Sequence, residues 1–129
     1  MIVTLHVASG AAAGAATRSR ALAVLLGIPL HLLADRIPHR DIPSRRFEIA
    51  SGAAGLMLLA AGRGPFHPVT LGAAAASAPD LEHVFPALRP RGSKLFHGAH
   101  GWHTSGRMLP VQFQLVVAGI TIGALAVRR

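Results

Sequence analysis

Five apolar runs divide the chain, at residues 2 to 16, 21 to 34, 47 to 61, 66 to 79 and 109 to 127. The connections read "TRSR", "DRIPHRDIPSRR" and "GRG", and a long polar stretch from 80 to 108 precedes the last run. Each run reads as a helix, and 129 residues suit one domain. The expected fold is therefore all-α: a small integral membrane bundle of about five short helices carrying a His/Asp-rich interfacial loop, with residues 1–129 as one embedded unit.

The membrane expectation comes from composition, because 51% of the residues are hydrophobic and only 14% are charged, against about 25% charged in ordinary soluble domains. Several runs are shorter than the ~20 residues that a spanning helix needs. A thin or tilted bundle answers this, with flanking Arg side chains snorkelling outward. The alternative is a buried soluble bundle, which the short runs and Pro29 favour. Small residues four apart predict close helix packing at Gly10 and Gly14, Ser51 and Gly55, Gly72 and Ala76, and Gly119 and Gly123. The first run has no basic leader and contains His6, so it reads as a helix rather than a cleaved signal.

Thirteen Lys and Arg against five Asp and Glu give a formal charge of +8. No basic stripe interleaved with aromatics accompanies that charge, so nucleic acid is excluded as the expected partner. Anionic lipid head groups fit better. Five alternating spans would put the N-terminus, residues 35 to 46 and residues 80 to 108 on one face. That face carries Arg36, Arg40, Arg45, Arg46, Arg89, Arg91, Lys94 and Arg107, and the other carries Arg18, Arg20, Arg63, Arg128 and Arg129. The positive-inside tendency makes the first face cytoplasmic.

The same face collects the metal-binding side chains. His6 starts the first run, His31 and Asp35 end the second, Asp80, Glu82 and His83 end the fourth, and His97, His100 and His103 follow. His67 alone falls opposite. His31 and Asp35 stand at i and i+4, and Asp80 and His83 at i and i+3, so each pair shares one helix face. An Asp in an apolar helix costs on the order of 2.5 to 3.5 kcal/mol, which pairing or a bound cation offsets. With no cysteine in the chain, nitrogen and oxygen donors suit zinc first, with manganese or iron as alternatives. Read singly, each residue has a simpler role: His6 as an interfacial histidine, Asp35 paired with Arg36 or Arg40, Asp80 and Glu82 with Arg89 or Arg91, and His39 and His97 as loop residues. Ser105 beside His103 could form a nucleophile and base, but no third group orients them.

The stretches "LHLLAD", "APDLEH" and "HGWHTSG" resemble the His-x-x-x-Asp, Pro-Asp-x-(Asp/Glu)-His and His-rich elements of the membrane-bound, metal-dependent hydrolase family. That family is also described as LexA-binding, inner-membrane-associated hydrolases, which implies a bacterial-type inner membrane. His6 matches its early histidine, and the resemblance spans residues 6 to 105. Here the His-x-x-x-Asp element comes first rather than last, and the His100 to His103 spacing differs. The resemblance implies a metal site of His6, His31, Asp35, Asp80, Glu82, His83 and one or two of His97, His100 and His103.

The expected function is metal-dependent hydrolysis of a phosphoester or ester at the membrane interface. His6, His31, Asp35, Asp80, His83, His100 and His103 are the expected ligands. Glu82 or Asp80, if not a ligand, serves as general base, with Glu82 favoured, and Arg89, Arg91 and Lys94 hold an anionic group. A non-enzymatic metal- or haem-binding membrane protein is the alternative, with paired histidines as axial ligands.

Overall fold

The computed structural model describes residues 1–96 and 108–127 and is all-α. Its helices are α1 (Val3–Thr17), α2 (Arg20–Ala34), α3 (Arg45–Arg63), α4 (Pro68–Ser77), the single turn α5 (Leu81–Val84) and α6 (Val111–Val127). A 3₁₀ turn, Ala78–Asp80, joins α4 to α5. Among the described residues no strand forms, and one isolated parallel bridge pairs His39 with Leu109.

Local chemistry sets the helix ends. Ser19 caps α2 by accepting from the Leu22 amide, and Ser44 caps α3 by accepting from the Phe47 amide. At α4, Pro68 takes the first position, where its missing N–H costs nothing, while His67 Nδ1 accepts from the Val69 amide at 3.2 Å. Arg18 turns left-handed at φ 54° and ends α1. Pro29 lies inside α2, yet the helix runs on to Ala34.

Helix α1 is the central element, packed against α2, α3, α4 and α6. Its buried side is nearly all small: Ala8, Gly10, Ala11 and Gly14, beside His6 and Val7. That allows backbone contact with α4, since a Cβ on Gly10 would stand 2.1 Å from the Gly72 carbonyl oxygen, and one on Gly14 equally close to that of Pro68. On the other side of α4, a Cβ on Gly27 would come within 2.4 Å of Ala75. Gly119 and Gly123 behave differently, since no described residue lies within 4 Å of a Cβ placed on either. Helix α6 instead buries Gln114, Ala118, Ile122 and Ala126, a face repeating every four residues that leaves both glycines beside the seam.

No helix among the described residues is long and apolar enough to cross a membrane. The physical reason is length in α1, α2 and α4, which hold 15, 15 and 10 residues. Helix α3 reaches 19 residues only by including Arg45, Arg46, Glu48 and Arg63. The outer surface is nonetheless apolar: Leu25 is 70% exposed, Met57 65% and Ile120 68%, on three different helices.

Candidate metal centre

Helix α1 carries His6, the last turn of α2 carries His31 and Asp35, and the 3₁₀ turn after α4 carries Asp80. The small-residue seam between α1, α4 and α2 is what lets these groups meet. Both imidazoles are fully buried and their rings stack, with centroids 3.8 Å apart and planes 26° from parallel. The Asp35 carboxylate spans their edges, with Oδ1 3.0 Å from His6 Nε2 and Oδ2 3.2 Å from His31 Nε2.

The other edge of His31 faces Asp80. His31 Nδ1 lies 2.8 Å from the Ala76 carbonyl oxygen and 4.0 Å from Asp80 Oδ2. His6, His31 and Asp80 each offer one ligand atom, all within 4.8 Å of one another. Tetrahedral ligands about 2.0–2.2 Å from an ion stand about 3.3–3.6 Å apart, so a movement on the order of 1 Å closes the set. His6 Nδ1 is buried and has no hydrogen-bond partner among the described residues. Such an orphan costs about 1–3 kcal/mol, and a metal ion would satisfy it. With Nδ1 on a metal, His6 donates Nε2–H to Asp35, the carboxylate–imidazole pairing that orients metal-bound histidines. The donor set fits a divalent ion that would take His31 Nδ1 from its bond to the Ala76 carbonyl oxygen, leaving Nε2–H for Asp35.

A second group of charges adjoins this one. The Met1 α-nitrogen lies 2.6 Å from Asp35 Oδ1 and 3.7 Å from Asp41 Oδ1, and it touches His39 Nε2. His39 and Asp41 pair at 3.2 Å. This hydrogen bond raises the His39 imidazole above its usual value and holds the Asp41 carboxyl below its own. A cavity of about 1500 Å³ opens at this end, and Met1, Asp35, His39, Asp41, Asp80 and His83 are on its wall.

Of the expected ligands His6, His31, Asp35, Asp80 and His83, the structure brings His6, His31 and Asp80 within ligand reach of one another, sets Asp35 against the two imidazoles and leaves His83 on the cavity wall. His100, His103, His97 and Ser105 lie outside the described residues. Glu82 is nearly buried, and its Oε2 accepts from the amides of Leu95 at 2.7 Å and Phe96 at 3.2 Å. Arg89 Nε donates to the Glu82 carbonyl oxygen at 2.7 Å, Arg91 sits in an exposed 3₁₀ turn, and Lys94 lines the cavity with Arg36, Arg40 and Arg45. His67 caps α4, at the end of that helix away from Asp80.

Glu82 thus anchors the chain at residues 95 and 96, a role that its position in "PDLEH" did not disclose. Glu82→Gln is expected to lower stability by about 1–3 kcal/mol, because hydrogen bonds to a charged acceptor are the stronger kind, and to leave bound metal unchanged. Thermal denaturation and metal analysis check both. Loss of turnover at unchanged stability would instead mark Glu82 as a base.

Sequence reasoning missed Gln114, which is fully buried at the start of α6. Its Oε1 accepts from the Ile2 amide at 3.2 Å, and its Nε2 donates to the carbonyl oxygens of Arg40 and Leu109. The one available signal was a glutamine inside an apolar run, and its partners are set by tertiary structure. Comparison of the chain with protein-family models, with curated proteins and with solved structures gives no match.

Proposed function

We propose that the protein is a metal-dependent hydrolase whose ion is held by His6, His31 and Asp80, with Asp35 orienting both imidazoles. The observation that carries this reading is the buried His6 Nδ1, unpartnered among the described residues, on a histidine within reach of His31 and Asp80. Zinc suits two imidazoles and a carboxylate best, with manganese or iron as alternatives. A divalent ion supplies Lewis acidity and lowers the pKa of water at the site towards ~7.

The chain's own groups provide the rest. Asp35 is hydrogen-bonded to the imidazoles and faces the cavity, which places a carboxylate where a proton can be taken up. Lys94, Arg36, Arg40 and Arg45 on the cavity wall favour an anionic substrate, a phosphoester or the ester of an anionic lipid. The apolar side chains exposed on α2, α3 and α6 support seating the bundle in a lipid bilayer. The excess of Arg and Lys supports a cytoplasmic orientation for this end in a bacterial-type inner membrane. Haem gains no support from His6 and His31, because rings stacked 3.8 Å apart leave no gap for a porphyrin between them.

The test is turnover of chromogenic phosphodiester and carboxylic ester substrates in lipid vesicles. Hydrolysis of one class is expected, abolished by a chelator, restored by zinc or manganese, and reduced at least ~100-fold in Asp80→Ala, since loss of about 2.7 kcal/mol of barrier lowering is that factor. Metal-replete protein with no turnover of either class would contradict the enzymatic reading.

A further inference from the structure

Helix α3 forms one wall of the large cavity through Arg45, Glu48, Ile49, Gly52, Ala53 and Leu56. Their spacing of three and four residues puts them in one strip along the helix, and eleven steps of about 1.5 Å make that strip about 16 Å long. This is close to the ~15 Å of hydrocarbon in one bilayer leaflet, half of ~30 Å. The strip starts charged and ends apolar, as a lipid does. We propose that the cavity seats a lipid with a phosphate head and one hydrocarbon chain, a lysophosphatidate in its simplest form, with the chain along α3 and the phosphate among Arg40, Arg45 and Lys94. That such a lipid is also the substrate rests on the hydrolase reading above; that it binds does not.

Charge is the first support. Arg40, Arg45 and Lys94 line the cavity, and none pairs with a carboxylate among the described residues. The carboxylates around them are engaged by other groups: Asp41 by His39 at 3.2 Å, Glu48 by the Ile42 amide at 3.1 Å, and Asp35 by the imidazoles of His6 and His31. Guanidinium and ammonium groups in this state favour phosphate oxygens, the acceptors of their strongest hydrogen bonds. Asp35 and Asp80 stand on the same wall, so the head group lies beside the metal centre.

Size and shape are the second. The cavity's volume of about 1500 Å³ exceeds the ~300–1,000 Å³ of ordinary small-ligand pockets, and a bare phosphate would leave its apolar walls uncovered. Past the cations the wall is Ile49, Gly52, Ala53 and Leu56, with Leu32 contributed by α2. Ile49 and Leu32 are each 39% exposed. Gly52 sits against α1, where a Cβ would stand 2.5 Å from Val3 Cγ1, so α1 closes the floor of the strip and Ala53 presents only a methyl group beside it. That leaves a channel one helix face wide, which suits one hydrocarbon chain.

The test places the full chain in phosphatidylcholine nanodiscs with a chelator present, so that neither metal nor turnover enters the result. The probe is lysophosphatidate with a chain of about 14 carbons, matched to the ~15 Å depth of a leaflet, carrying a photoreactive diazirine at mid-chain, and mass spectrometry locates the adducts. Adducts are expected on Ile49, Ala53 and Leu56, suppressed at least ~10-fold by excess unlabelled lysophosphatidate but not by glycerol phosphate or by the same chain without phosphate. Ala53→Trp, which fills the channel, and Arg45→Ala/Lys94→Ala, which removes two cations, should each lower labelling at least ~10-fold. Ala53 and Arg45 are exposed and Lys94 is partly so, so neither change disturbs the core. Adducts scattered over Leu25, Met57 and Ile120 without competition would mean general lipid contact and overturn the site, as would unchanged labelling in either variant. Suppression by glycerol phosphate or by the chain alone, as strong as by the lipid, would overturn it as well. Competed labelling in a protein that turns over neither class of substrate would overturn the hydrolase reading alone, and turnover without competed labelling would overturn the lipid site alone.

Discussion

Gly10→Ala is expected to cost about 3 kcal/mol, the upper end for overpacking a close-packed interior, and to lower the affinity for metal. The added Cβ would stand 2.1 Å from the Gly72 carbonyl oxygen and 2.6 Å from the Ala76 Cβ. Neither neighbour is the movable tip of a long side chain, so α1 and α4 must separate. His6 rides on α1, and the Ala76 carbonyl lies against His31, so the same displacement opens the metal centre. Gly119→Ala supplies the control: its Cβ meets nothing within 4 Å, and removing a glycine from a helix interior is worth about 0.5–1 kcal/mol of added stability. Thermal denaturation of the two variants should shift in opposite directions.

Asp35→Ala is expected to destabilise the protein by about 3 kcal/mol, the scale of removing one partner from a buried charge cluster. The carboxylate faces His6 Nε2, His31 Nε2 and the Met1 nitrogen at once. Its loss leaves two buried imidazole edges and an ammonium without that acceptor. Metal binding at His6, His31 and Asp80 should weaken with it, because Asp35 holds both imidazoles in place. Denaturation midpoints and metal content measured on the same samples check the pair of effects.

The positions of the helices were legible because apolar runs and Arg-bearing breaks coincide with them. The run 21 to 34 is α2 almost residue for residue, with Ser19 as its cap. The run 66 to 79 was less faithful, since Pro79 and the following acids tighten the chain into a 3₁₀ turn and cut α4 at Ser77. The i, i+4 spacing of His31 and Asp35 announced a shared face, and alternating connections announced that His6 and Asp80 would join them. Their stacking and the Asp35 bridge depend on how closely α1 approaches α4, which the Gly10 and Gly72 pairs suggested.

Other features had no local signature. His39 read as a loop residue because its partner, the Met1 nitrogen, is 38 positions away. Gln114 joins Ile2 across 112 positions, a separation that no periodicity reports. The pattern of four that marked Gly119 and Gly123 falls beside the buried face of α6, where no described residue stands within 4 Å of either Cβ position. A stripe of small residues identifies a seam only when a second helix supplies the facing stripe.

The central claim is that His6, His31 and Asp80 hold a divalent ion, and metal content per chain in protein purified in mild detergent without added metal tests it most directly. The comparison sets the unaltered protein beside His31→Ala and His67→Ala. His31 is fully buried within the ligand group, whereas His67 caps α4 beside Arg63, whose guanidinium lies 3.3 Å from His67 Nε2. Metal should fall by one ion per chain in His31→Ala and stay unchanged in His67→Ala. Equal metal content in all three proteins would contradict the account.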